Sequence, residues 1–277
     1  MQLAELQALN FDAIKDQLCI VAAGHPMQRI GEEMQCLSEA FQARAIFHLL
    51  QGLDVAAFSS NLRRGVYARR FFLRKSRQQA SADRIFTALS RTDAVFDCIV
   101  GGDWPLAIDI HRLSPPEWQP EGEYEEDFCY HSLVHALVAA AVNRSGIEAA
   151  GAWRDRLAAV VDGIPSSELD VIRVDLCTAF LAGDEPRFWT VFEQFVALTG
   201  DAADAVPLAD GRLFEFPWLA ADRYVSIELL AWITLARQWS FTPPQRDYRR
   251  CPSAAWLDGA PAAEPDLFLD MERQFGL

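Results

Sequence analysis

Asp127, His131 and His135 are the residues whose types and spacing come nearest to metal chemistry. Steps of four put all three on one face of a helix. Two histidines four apart can bind a zinc ion. Ser132 follows His131 at the position where a zinc protease carries Glu, so a metal-dependent hydrolase would need a further ligand, with Glu228 the candidate. The structural alternative is that Asp127 accepts a bond from His131 while His135 packs inside a bundle. That alternative is favoured, so no metal and no cofactor are expected. Glu228 stands in an otherwise apolar segment, where a carboxylate must be paired or neutralised. General acid–base work is conceivable for it, but it reads better as a structural buried charge paired with an arginine, either Arg237 or one from the segment 61–80. The chain contains no Gly-x-Ser-x-Gly, phosphate-binding loop, Gly-x-Gly-x-x-Gly or His-Glu-x-x-His pattern. No catalytic residue is assigned, and the chain is expected not to be an enzyme.

Two charged segments of opposite sign stand out. Asn61 to Ala80 holds Arg63, Arg64, Arg69, Arg70, Arg74, Lys75 and Arg77 without an acid. Arg63, Tyr67, Arg70, Arg74 and Arg77 recur by threes and fours, a stripe that could bind phosphate or an acidic partner, with Tyr67 as a stacking platform. The competing reading is an arginine-rich helix paired to acidic neighbours. The complementary segment has six acids in eleven residues, Glu117, Glu121, Glu123, Glu125, Glu126 and Asp127. Trp118, Tyr124 and Phe128 are interleaved with them. Acids at a helix start are favourable with its dipole. Aromatic residues set among like charges also suit an interface, because the rings supply contact area and the charges steer a basic partner. The expected partner-binding residues are Trp118, Glu121, Glu123, Tyr124, Glu125 and Glu126.

The balance of charge bears on partners. The 277 residues carry 25 Lys and Arg against 39 Asp and Glu, a formal net charge of −14. Such a chain is not expected to bind nucleic acid, which rewards surplus Lys and Arg. Its 51% hydrophobic content excludes intrinsic disorder. The most apolar stretch, Leu133 to Val142, is too short for a membrane span of ~20 residues. An acid and no basic run follow Met1, so no signal peptide is expected. The six cysteines are far apart, without Cys-x-x-Cys, which fits buried thiols in a cytoplasmic protein. Patches of both signs allow a monomer or a homodimer.

Helical periodicity must position these residues. Met27, Ile30, Met34, Leu37, Phe41, Ala45 and Leu49 form one apolar face over Pro26–Gln51. Further helices are expected over 11–23, 54–76, 82–90, 124–142 and 147–161, and over Ala221–Trp239, which is apolar nearly all round. Gly102-Asp103-Trp104-Pro105 and Gly183-Asp184-Glu185-Pro186 each read as a glycine stop, an aspartate cap and a proline in the next first turn. Gly52-Leu53-Asp54 is a looser copy. Ser167 and Asp170 form a capping box. Asp210-Gly211 is compatible with a small hairpin, although a loop is preferred there. Tight turns of this kind join antiparallel helices. The expected fold is all-α: stacked antiparallel αα-hairpins in an irregular bundle or short solenoid-like array. One domain is expected over 1–277, divisible into a front half, 1–113, a connecting loop, 114–123, and a back half, 124–277.

Tyr224-Val-Ser-Ile-Glu-Leu-Leu-Ala-Trp-Ile-Thr-Leu-Ala-Arg-Gln-Trp239, with the proline-rich stretch after it, resembles the late helix of bacterial polymorphic-toxin immunity proteins of the Immunity protein 49-like family. Ala43 to Phe72 is loosely similar in its spacing of small and aromatic residues. The resemblance implies an all-α, non-enzymatic, cytoplasmic protein that binds one cognate toxin with a basic surface and covers its active site. The toxin would be delivered by a neighbouring cell, through a type VI or contact-dependent system. The other classes of function to weigh are the hydrolase built on Asp127, His131 and His135, and a helical scaffold or regulator whose arginine stripe binds an acidic partner.

Overall fold

The computed structural model describes residues 3–23, 30–78, 84–143, 147–164, 167–205, 221–256 and 265–275. Among these the chain is all-α. Its helices are α1 (Leu3–Ala22), α2 (Ile30–Gly52), α3 (Val55–Gln78), α4 (Ala94–Val100), α5 (Trp104–Leu113), α6 (Glu125–Asn143), α7 (Ile147–Gly163), α8 (Glu168–Leu181), α9 (Glu185–Ala205), α10 (Ile227–Gln238) and α11 (Leu267–Phe275). No strand occurs among the described residues beyond an isolated bridge between Tyr248 and Cys251. The helices pack as neighbours in sequence, α1 on α2, α2 on α3, α6 on α7 and α8 on α9, as antiparallel hairpins require. Contacts between α10 and α4, between α5 and α6, and between α11 and α3 join the front of the chain to the back.

Local chemistry explains the turns. Gly102 and Gly183 take the left-handed conformation, φ +69° and +67°, which glycine adopts without a Cβ penalty. Asp103 Oδ1 then accepts from the Leu106 amide at 3.2 Å, and Asp184 Oδ1 from the Arg187 amide at 3.1 Å. In the looser copy the left-handed residue is Leu53, at φ +50°, and not Gly52. Asp54 still caps, accepting from the Ala57 amide at 2.9 Å. The Ser167–Asp170 box is complete in both directions.

Three segments depart from the periodicity reading. In place of the helix expected over 82–90, the described segment 84–91 forms two short 3-10 turns, Arg84–Thr87 and Leu89–Arg91. Its backbone is organised by Arg69, whose guanidinium takes the carbonyls of Phe86, Thr87 and Ala88. The first helix begins at Leu3, and Asn10 lies inside it, fully buried, donating to the Ala40 carbonyl at 3.0 Å. The apolar helix α10 is shorter than expected because Ser226 caps it, accepting from the Leu229 amide at 3.3 Å. Asp210-Gly211 and the first turn expected from Pro26 lie outside the described residues.

The core runs through both halves. α10 buries Ile227, Leu229, Leu230, Trp232, Ile233 and Leu235, as a helix apolar on all sides should. The Trp232 indole donates to the Tyr130 hydroxyl at 2.7 Å, satisfying a buried donor. Phe180 meets Phe188, Trp232, Trp239 and Phe241 with ring centroids 5.3 to 5.7 Å apart. Helices α2 and α3 approach closely at Gly65, where an added Cβ would stand 2.9 Å from the Ser38 carbonyl oxygen. Helix α11 closes over α3 through Phe268 on Phe71, centroids 5.6 Å apart, and through an ion pair between Arg70 and Asp266. Of the six thiols, Cys19 is exposed, Cys36 is half-buried and the other four are buried, all unpaired. Among the described residues no helix is long and apolar enough to cross a membrane.

Candidate functional site

Of the three candidate metal residues, Asp127 is engaged elsewhere and the two histidines are enclosed. Asp127 does not receive His131. Its Oδ1 accepts from Arg173 Nη1 at 3.2 Å, and Arg173 also reaches Glu228, Nη2 to Oε1, at 3.0 Å. The partner of Glu228 is therefore Arg173 of α8, and neither Arg237 nor an arginine of α3. Burial opposes the Arg173 charge, but Glu228, Tyr130 and Asp127 outweigh it and raise its pKa. The guanidinium also lies 4.5 Å from the Tyr130 ring centroid. Burial raises Asp127 in spite of Arg173, with Asp170, Glu126 and Glu228 adding to the rise. His131 and His135 are buried, and each leaves Nδ1 without a partner. Burial, with Arg173 and Arg69 nearby, lowers His131 to about 3. Burial also pushes His135 well below the usual histidine range, helped by His111 and His131. No group of three His, Cys, Asp or Glu among the described residues is placed to hold a metal ion.

The arginine stripe turns largely inward. Arg63 Nε stands 2.8 Å from Asp103 Oδ2, in a buried pair that ties α3 to the α4–α5 turn. Arg69 is buried on the carbonyls named above, with a pKa lowered by burial to about 10. Arg70 pairs with Asp266 and covers Tyr67, its guanidinium 4.9 Å from the ring centroid. Tyr67 is itself buried, which removes it as a stacking platform. Arg77 donates to the Arg112 carbonyl at 2.6 Å.

The acidic–aromatic loop divides into an inner and an outer set. Glu123 is inward: its Oε2 accepts the Ser90 amide at 2.8 Å, and its carbonyl accepts the Trp118 indole at 3.0 Å. Gly122 seats the loop against the 3-10 segment, since a Cβ there would stand 2.7 Å from Ala88 Cβ. Glu125 is paired, 2.6 Å from Arg156 Nη2. The outer set is Trp118, 38% exposed, Tyr124, 74% exposed, the exposed Glu121 and the half-buried Glu126, and neither carboxylate forms an ion pair among the described residues. Beneath the loop lies a cavity of 580 Å³, with Arg77 and Arg84 on one wall and Glu117, Trp118 and Glu121 on the other.

A second acidic feature escapes sequence reasoning. Ser38, Glu39 and Gln42 of α2, the segment 90–93, Asp97 of α4 and Asp222 line a cavity of 240 Å³. Gln42 Nε2 donates to Asp97 Oδ1 at 3.0 Å and to Asp93 Oδ2 at 3.4 Å. Asp97 is buried, while Asp93 and Asp222 are open to water within the hollow. Burial holds Asp97 well above the usual carboxylate range, and crowding at the floor of the hollow together with neighbouring acids raises Asp93 to about 6 and Asp222 to about 7. The Asp93-x-x-x-Asp97 spacing was the available signal. Asp222 is brought to it only by tertiary packing. The cavity adjoins the loop, because Ser90 lines it and donates its amide to Glu123.

Compared with protein-family models, with curated proteins and with solved structures, the chain gives no match in any of the three.

Proposed function

We propose that this chain is a non-catalytic immunity protein that binds a toxin with a basic surface in the cytoplasm and covers the toxin's active site. The observation that carries this reading is the outer set of the 114–126 segment. Tyr124 is 74% exposed beside Glu121 and Glu126, which form no ion pair among the described residues. An exposed ring among free carboxylates supplies both an anchor and a field for a cationic surface. The net charge of −14 adds long-range attraction of the same sign. The inner residues Glu123 and Glu125 serve to hold the loop in shape, so the contact set is narrower than the six residues expected from sequence.

The test is co-expression with a candidate toxin, the product of the gene immediately upstream. The unaltered chain is expected to restore growth and to form a stable complex. Glu121→Lys with Glu126→Lys is expected to weaken that complex by about a hundredfold, a loss of about 2.7 kcal/mol. Full affinity in the doubly reversed variant would remove the loop from the interface.

A further inference from the structure

A hollow of 490 Å³ lies where the end of α5 meets α6 and α7. Its room comes from side-chain size. Ser132, Ala136 and Ala139 line it from α6, spaced by four and by three along one helix face. Leu89, Trp153, Pro115 and Pro116 extend the apolar wall. Among the described residues no acid lines this hollow, but two arginines do, Arg77 from the end of α3 and Arg112 from the end of α5. Arg63, Arg70, Arg156 and Arg173 each meet a carboxylate. Arg77 and Arg112 meet none among the described residues, although acids outnumber basic residues by 39 to 25 in the chain. Arg77 donates only to the Arg112 carbonyl, and the Arg112 guanidinium makes no hydrogen bond.

A second observation is independent of these charges. Ser132 is 8% exposed, and its hydroxyl makes no hydrogen bond among the described residues. Ser76, Thr190 and Thr234, also in helices, each donate to a carbonyl of the preceding turn. Unlike Nδ1 of His135, the Ser132 oxygen is not sealed from solvent, so it is open to a ligand. His111 and His135 meet at the same hollow with ring centroids 5.2 Å apart. Desolvation lowers the pKa of both, so at neutral pH the arginines supply the positive charge.

We propose that this hollow binds a small monocarboxylic acid with an apolar body, its carboxylate held by Arg77 and Arg112 and its body lying against α6 and Trp153. The planar guanidinium fork matches a carboxylate. An inorganic anion would leave the apolar wall in water, and an uncharged apolar molecule would leave both guanidinium groups unserved. A cavity of about 150 Å³ already holds benzene, so 490 Å³ has room for a ring or short chain with its acid group. None of Trp118, Glu121, Tyr124 and Glu126 lines the hollow, so this inference does not depend on toxin binding.

The experiment titrates phenylacetate, and in a second arm hexanoate, into the purified full chain, read by calorimetry and backbone amide NMR shifts. Saturable binding of at least one acid is expected, with shifts at the lining residues of α5, α6 and α7. Phenylacetamide, which lacks the charge, and acetate, which lacks the body, are each expected to bind at least about tenfold more weakly. Arg77→Gln and Arg112→Gln alter exposed side chains, so the fold is retained, and each is expected to weaken binding by about tenfold. Ala139→Leu fills the hollow and is expected to abolish binding, whereas Lys15→Gln, an exposed position on α1, leaves it unchanged. Absence of saturable binding by both acids, equal binding of the amide or of acetate, indifference to both arginine variants, or shifts confined to other parts of the chain would each overturn the proposal.

Discussion

Arg173 sits where α6, α8 and α10 bring carboxylates together, and its side chain is only 14% exposed. Replacing it by Met leaves Glu228, 18% exposed, without a counter-charge in a low-dielectric setting. The expected loss is about 3 kcal/mol, measured by the urea midpoint. Adding Glu228→Met is expected to recover most of it, since an apolar pair of similar volume avoids the desolvation of both ions, and Asp127 is exposed enough to rehydrate. His131 gives a pH-dependent counterpart. Its folded pKa of about 3 lies below the unfolded value near 6.5, so the unfolded chain binds the proton first. The stability it contributes is present above the unfolded pKa and is lost as pH falls from about 6.5 toward about 3. Asp222, raised to about 7, acts oppositely, adding stability as pH falls from about 7 to about 4. Urea midpoints at about pH 7 and about pH 5 separate them: His131→Gln is expected to soften the acid loss, and Asp222→Asn to steepen it. The need of Glu228 for an arginine is readable from its apolar neighbours. Which arginine answers it is not, because Arg173 is brought close by the packing of α8 on the bundle and by no spacing in the chain.

At the scale of elements, the joints carry the legible information. Gly102-Asp103 and Gly183-Asp184 each combine a residue free to turn left-handed with a carboxylate able to cap, so local chemistry alone specifies them. The segment 84–91 is different. Its apolar residues mimic a helix, but Arg69 of the preceding helix α3 takes three of its carbonyls, and the backbone follows the guanidinium. The same contrast explains why the loop was legible and the acidic cavity was not: Glu121 and Glu126 are neighbours in sequence, whereas Asp97 and Asp222 meet only in space. Close approach of elements yields two further expectations. Gly65→Ala pushes a Cβ to 2.9 Å from the Ser38 carbonyl oxygen and is expected to cost about 1 to 3 kcal/mol in thermal or urea unfolding. Gly122→Ala, at 2.7 Å from Ala88 Cβ, is expected to lift the loop from the 3-10 segment. It should weaken the proposed partner complex while changing stability less than Gly65→Ala does.

For the whole molecule, acidity and shape act together. A net charge of −14 on a helical body attracts a basic protein from beyond contact, and that attraction is screened by salt. Association with the partner is expected to slow by about tenfold between about 0.05 M and about 0.5 M salt, in stopped-flow measurements, with dissociation changing less. The distribution of thiols has a practical consequence. Cys19 on α1 is exposed, whereas burial with Glu39, Glu32 and Glu33 nearby drives Cys36 to about 12 and the remaining four are enclosed. At neutral pH a maleimide dye will therefore attach once per chain, at Cys19, as intact mass will show. The protein thus carries its own handle for fluorescence, and its encounters can be timed without first engineering a label into it.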